Sequence, residues 1–237
     1  MTEETPESLN ADVHSSALSG EPMAGGAREE FEISPIFDST WAGFKKYWQL
    51  LIPAGFIYMF CTGLAEQFDS TLSVALFGPD SFEIVILTFA AYAFLGVGMT
   101  RFYLGVLRDE KPAIELLFSG ADRCLKMMGV SLMIGLLTVL GLLLFVIPGF
   151  IVFVGTWYAG TRMVDANTGV MDSLRWSWDN TKGHRMTLCL LGFIAGLFNV
   201  FGLLLLGVGI FVTIPLTGLM LTEGYRRLAL MSDGASQ

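Results

Sequence analysis

The sequence predicts an all-α, polytopic membrane protein with six transmembrane helices, on three observations. Four stretches without a charged residue, Tyr47–Ala65, Ile84–Thr100, Met127–Thr161 and Met186–Thr222, are 19, 17, 35 and 37 residues long. A bilayer's hydrocarbon layer is about 30 Å thick and a helix rises about 1.5 Å per residue, so roughly 20 apolar residues cross it. Hydrophobic residues form 53% of the chain and charged residues 15%, with a mean hydropathy of +0.61, a balance foreign to soluble domains. Finally, the basic residues all fall on one side of the predicted spans, the connection Glu66–Glu83 and the two uncharged tips near Pro148 and Gly207 holding none, as where short basic loops stay cytoplasmic.

The chain opens on an acidic segment. Residues 1–33 carry eight acids against one base, Arg28, whereas the remaining 204 residues hold 14 acids and 13 bases, so all but one unit of the net charge of −8 belongs to this tail. Rich in Ser, Gly, Pro and Glu and without apolar periodicity, it has the composition of a disordered leader. It also lacks the basic and apolar regions of a signal peptide. Residues 34–230 then read as the six-helix transmembrane domain and 231–237 as a short C-terminal tail.

Ahead of the first span, Ser34 is placed to cap a helix that starts at Pro35, with Phe37, Trp41, Phe44 and Trp48 at helical spacing. The first two apolar stretches give one span each. The connection between them, Glu66 to Glu83, holds four acids and no base. Pro112 begins a second amphipathic lead-in with Ile114, Leu117, Ala121, Cys124 and Met128 on one face, and a third places Met171, Leu174 and Trp178 likewise.

The last two apolar stretches are too long for one crossing. The first should fold at Pro148-Gly149, where a residue without a backbone donor meets one with free dihedrals, and the second at Gly207-Val208-Gly209. Ser39 and Lys46, Ser119 and Lys126, and Ser177 and His184 are each seven apart, and the even spans end in the related strings TRFY, TRMV and GYRR. We read three copies of a cytoplasmic-side amphipathic lead-in helix followed by a hairpin. Lys and Arg on one side place both termini in the cytoplasm. Cys61, Cys124 and Cys189 form no framework and read as packing residues.

Three strings carry a resemblance: IPGF (Ile147–Phe150), VDANTGVMDSLRWSWDNTKGH (Val164–His184) and VTIPLTGLMLTEGYRRL (Val212–Leu228). Over roughly residues 36–228 the chain resembles a poorly characterised family of bacterial six-span inner-membrane proteins. That family is related to the membrane-anchor domain of some glycerophosphodiester phosphodiesterases. The shared features are the Pro-Gly hairpin, Ser177 ahead of Lys182-Gly183, and Pro215 ahead of Tyr225. The resemblance implies a bacterial inner-membrane location and a role in envelope or lipid homeostasis. The phosphodiesterase domain is not in this sequence, so that activity does not follow.

The residues point away from catalysis. The two histidines are His14 in the tail and His184 at a membrane face, which disfavours His-based metal sites and triads. Asp165, Asp172 and Asp179, seven apart, form a conceivable acid/base or cation cluster, but solvated carboxylates paired with Arg162, Arg175 or Lys182 explain them more simply. Asn199 is the strongly polar residue well inside a span, a candidate intramembrane site or an interhelical hydrogen-bonding residue. Lys45, Lys46, Lys126, Lys182 and Arg185, beside Trp41, Trp48, Trp176 and Trp178, are candidate lipid-headgroup contacts. Membrane lipids, anionic ones above all, are therefore the expected partners, with no cofactor, metal or nucleic acid. The expectation is a non-enzymatic, structural or accessory membrane protein. The alternative is a channel or transporter for a small or amphipathic solute, which Asn199 facing a polar cavity would favour.

Overall fold

A computed structural model describes residue 31 and residues 33–67, 82–110, 112–205 and 209–234. Residues 1–30 of the predicted tail, most of the first connection, and Gly207 and Val208 of the second predicted fold lie outside the described residues. The described residues form eight α-helices: α1 (Ile33–Gln67), α2 (Phe82–Arg108), α3 (Cys124–Leu144), α4 (Val146–Thr156), α5 (Ala159–Ala166), α6 (Val170–Asn180), α7 (Arg185–Leu204) and α8 (Ile210–Gly234). A 3-10 turn, Ile114–Phe118, precedes α3. Four helices are long and apolar enough to cross a membrane: α1, α2 from Val85, α3 and α7. The other two predicted spans differ in kind. Val146 to Ala166 is interrupted at Trp157 and Tyr158, and α8 has only thirteen residues, Ile210 to Thr222, before Glu223, Arg226 and Arg227.

α1 joins a lead-in to a span. Its regular geometry breaks at Tyr47 (φ −120°, ψ 16°), and the part from Tyr47 to Gln67 is about 30 Å long at 1.5 Å per residue. The helix begins at Ile33 rather than at Pro35, which sits in the first turn where a missing N–H costs nothing. Its buried stripe is Ile36, Thr40 and Phe44, while Phe37, Trp41 and Trp48 are 39 to 49% exposed. Of the four predicted aromatics, Phe37, Trp41 and Trp48 therefore look outward and Phe44 is buried.

The second lead-in is shorter than expected. Only the 3-10 turn forms, and it lies directly on the α2 backbone: a Cβ on Gly98 would stand 2.0 Å from the Leu117 carbonyl oxygen, and one on Gly120 would stand 2.0 Å from that of Phe94. Two glycines make this backbone-on-backbone contact possible.

The second hairpin turns at Phe145, three residues before the predicted Pro-Gly break. Phe145 is extended (φ −165°, ψ 154°) between α3 and α4. Pro148 falls in the first turn of α4, where it is tolerated, so it does not make the bend. Gly149 supplies close approach instead of dihedral freedom: its Cβ would stand 2.6 Å from the Leu142 nitrogen, and one on Gly141 would stand 2.7 Å from the Gly149 Cα. Gly202 and Gly209 meet similarly between α7 and α8, a Cβ on Gly209 standing 2.7 Å from the Gly202 carbonyl oxygen.

The helices pack in a closed order, α1 on α2, α2 on α3, α3 on α4, α4 on α7, α7 on α8 and α8 on α1. Buried clusters join them. Phe44, Leu51, Phe102, Leu117 and Leu219 tie α1, α2, the 3-10 turn and α8 together, while Leu104, Tyr158, Leu191 and Tyr225 tie α2, α7 and α8 around the α4–α5 turn. Around the hairpin tip the pattern inverts: Leu143, Phe145, Val146 and Ile147 are all more than 70% exposed. Apolar surface of this extent is stable where the surrounding medium is itself apolar, which is how a membrane protein presents itself to lipid.

Candidate functional site

The polar chemistry is gathered where the charged helix ends meet. Arg101, near the end of α2, donates to the Ser119 carbonyl and hydroxyl oxygens and to Asp122 Oδ2, the last at 2.7 Å. Arg108, at the end of α2, pairs with Asp165 Oδ1 at 2.6 Å, and the Tyr225 hydroxyl donates to Asp165 Oδ2 at 2.9 Å. One carboxylate thus bridges α2, α5 and α8. Arg123 donates to the Val164 carbonyl. A guanidinium bonded to fixed acceptors is held rather than solvated, and Arg101 keeps only 21% of its side chain exposed. The Arg101 hydrogen bond is the main reason the Asp122 carboxyl is held below the usual carboxylate range.

Among the described residues Glu223 is the most enclosed charge. With no exposed surface, it accepts from Arg226 at 2.6 and 2.9 Å and from Arg227 at 2.9 Å. Arg227 also donates to the Pro35 carbonyl and to Ser39 Oγ, both at 2.8 Å. The end of α8 is thereby clamped to the start of α1. A buried carboxylate is costly unless paired, and two guanidinium groups meet that need.

A hydroxyl cluster shapes the turn between α4 and α5. Ser177 Oγ donates to the Gly155 carbonyl at 2.9 Å and accepts from the Tyr158 N–H at 3.2 Å, and Thr181 Oγ1 also donates to Gly155 at 3.2 Å. In a continuous helix, Gly155 O and Tyr158 N–H would bond one turn along the same chain. Here Ser177 of α6 and Thr181 just beyond it take those places, and side chains inserted into the ladder in this way accompany a break. Gly155 has no room for a Cβ, which would stand 2.6 Å from the Trp178 ring, and the Arg185 guanidinium lies 4.2 Å from that ring's centroid.

The five candidate headgroup residues share this end but not one environment. Lys45 is exposed over the Trp41 ring. Lys46 pairs with Asp109 at 2.6 Å, and the Tyr47 hydroxyl donates to the same carboxylate. The Lys46 and Tyr47 hydrogen bonds hold Asp109 below its ordinary value. Asp109 itself is left-handed (φ 59°) where α2 ends, with Glu110 N–H bonded to Gly105 O and Asp109 N–H to Val106 O, the paired bonds of a Schellman turn. Lys126 donates to Asn167 Oδ1 at 2.9 Å, and Lys182 pairs with Asp179 at 2.7 Å. Arg185 is partly buried, with two nitrogens lacking a hydrogen-bond partner.

Asp165, Asp172 and Asp179 do not converge: Asp165 bonds Arg108 and Tyr225, Asp172 is exposed in the first turn of α6, and Asp179 pairs with Lys182. Among the described residues no group of His, Cys, Asp and Glu is placed to hold a metal ion. Asn199 is half-buried and donates to Thr217 Oγ1 on α8 at 3.2 Å. Pro53 and Pro215 lie inside their helices, and the Pro215 ring would be 3.2 Å from a Cβ on Gly55, so α1 and α8 pack closely beside that proline.

Compared with known protein families, curated proteins and solved structures, the chain matches none. The Arg108–Asp165–Tyr225 bridge was not foreseen from sequence, although two of the end strings of the even spans, TRMV and GYRR, fall beside Asp165 and on Tyr225. The enclosure of Glu223 carried a fainter signal, one acid followed closely by two arginines.

Proposed function

We propose that the protein is a non-enzymatic component of a bacterial inner membrane, crossing it six times as three lead-in-plus-hairpin units with both termini cytoplasmic. Its role is structural or accessory, in envelope or lipid homeostasis. The observation that carries the role is Asn199: its amide is spent on Thr217 of the adjacent helix, which is a packing contact. The three-unit reading draws support from the serines of the lead-ins. Ser119 receives Arg101, Ser177 receives the Tyr158 N–H, and Ser39 receives Arg227, so each even span is tied to the next lead-in and the last to the first.

A polar end carrying lysines, arginines and half-exposed indoles suits the headgroup region of a leaflet containing anionic lipid. Lys45 is the strongest headgroup contact in this reading, because it is exposed and pairs with no carboxylate among the described residues. The test is native mass spectrometry of the protein released directly from membranes. Anionic phospholipid should be retained without a small polar solute. A bound solute with no lipid preference would reverse the reading in favour of transport.

A further inference from the structure

Between the end of α2, the 3-10 turn and the end of α5 lies a cavity of about 400 Å3. Three guanidinium groups, Arg101, Arg108 and Arg123, stand in its wall, with Asp165, Glu110 and an apolar side that includes Leu116. We propose that this cavity binds a phosphate group carried by an amphiphile or free in solution. The proposal does not rest on an accessory role, since a phosphate site would serve a transporter equally well.

The argument is one of donors and acceptors. Each guanidinium presents five N–H donors in a planar fork. Among the described residues their acceptors are Ser119 O and Oγ, Asp122, Asp165 and Val164 O. Asp165 already accepts from Arg108 on Oδ1 and from Tyr225 on Oδ2, which leaves about one acceptor site on each oxygen. Arg123 Nε is buried without a hydrogen bond, and the nearest carboxylate, Asp122, stands 3.4 Å away as an ion-pair contact. The wall is thus short of acceptors. A phosphate brings several charged oxygens whose geometry matches the arginine fork, and it meets the deficit directly.

Place agrees with this. Asp165, Asp122 and Glu110 match the three arginines in number, but Glu110 is exposed and pairs with none of them among the described residues. Arg123 also stands at the N-terminal end of α3, where the helix dipole adds positive potential. Leu116 gives the cavity an apolar flank beside the guanidinium groups, the order of surfaces that a phospholipid headgroup and its glycerol ester region present. The volume is in the range of small-molecule sites.

The test uses the full chain in phosphatidylcholine nanodiscs. In one arm dioleoyl phosphatidic acid is mixed into the disc and its retention is read by native mass spectrometry. In the other, inorganic phosphate is titrated and the thermal midpoint followed. Retention of phosphatidic acid, with no response to inorganic phosphate, identifies a lipid headgroup. A midpoint that rises with inorganic phosphate identifies a soluble source.

The double variant Arg108→Gln/Asp165→Asn removes a guanidinium together with its own counter-ion and should weaken binding about tenfold, the loss of one charge-assisted contact. Should that variant fail to fold, Glu110→Gln decides, because it alters an exposed side chain and should tighten binding several-fold. Lys182→Gln, at a separate Asp179 pair, should leave binding unchanged. Binding in neither arm, or binding indifferent to Glu110→Gln, overturns the proposal.

Discussion

Ser177→Ala probes the hydroxyl that interrupts the fourth predicted span. Ser177 is fully buried and its oxygen serves both the Gly155 carbonyl and the Tyr158 N–H, at 2.9 and 3.2 Å. After substitution Gly155 retains Thr181 Oγ1, whereas the Tyr158 N–H has no second described partner. The natural replacement, Val154 O, already accepts from Trp157 at 3.3 Å. Straightening the chain to reach it would shift α5 and pull Asp165 from Arg108 and Tyr225. An unsatisfied buried donor costs about 1–3 kcal/mol in water-soluble proteins, and hydrogen bonds within membranes average about 0.6 kcal/mol, so a loss of about 1–2 kcal/mol is expected. The assay is reversible unfolding in mixed detergent micelles, with Ser173→Ala as the reference. Ser173 is equally buried, but its hydroxyl bonds only Gly169 O and Thr168 at the start of the same helix. A Ser177→Ala protein as stable as the Ser173→Ala protein would refute the claim that this hydroxyl holds the break.

Three further outcomes follow from the packing. Gly149→Ala should destabilise by about 1–3 kcal/mol, because the new methyl meets the Leu142 backbone, whereas Gly135→Ala, where nothing stands within 4 Å, should be neutral or slightly stabilising; thermal midpoints decide. Asn199→Ala should cost only about 0.6 kcal/mol by the same unfolding assay, the value of an interhelical packing contact, without changing the retained lipids. The carboxyl of Asp109 is held below 3.8, so the Lys46–Asp109 tie should be fully present above the ordinary carboxylate range and lost only as the pH falls through the depressed value. Asp109→Asn should abolish that acid-side component of the stability profile.

What could be read from the sequence was set by hydropathy, which depends on composition over many residues. The apolar stretches became α1, α2, α3 and α7 because unbroken apolar runs of this length leave a helix as the way to satisfy the backbone. The turn at Phe145 was displaced from Pro148-Gly149 because proline is as acceptable in a first helical turn as in a bend, and glycine serves close packing as well as free dihedrals. The third lead-in hid its buried face for a related reason. Ser173, Ser177 and Thr181 point inward, while Met171, expected inside, is half-exposed. Small hydroxyl residues carry no hydropathic signature, so their bonds to Gly155 emerge only from tertiary contact. At the polar end, sequence gathered the arginines and lysines on one side but could not pair Arg108 with Asp165, fifty-seven residues away.

The most direct test of the central claim is cysteine accessibility in intact cells. With Cys61, Cys124 and Cys189 replaced by serine, one cysteine is placed at Ser73 in the acidic connection, or at Ala166, which is exposed at the end of α5. A membrane-impermeant maleimide should label the cysteine at Ser73 and spare that at Ala166 until the cells are opened. Labelling of Ala166 but not Ser73 in intact cells would contradict the proposed orientation, and labelling of neither after opening the membrane would contradict exposure of both connections.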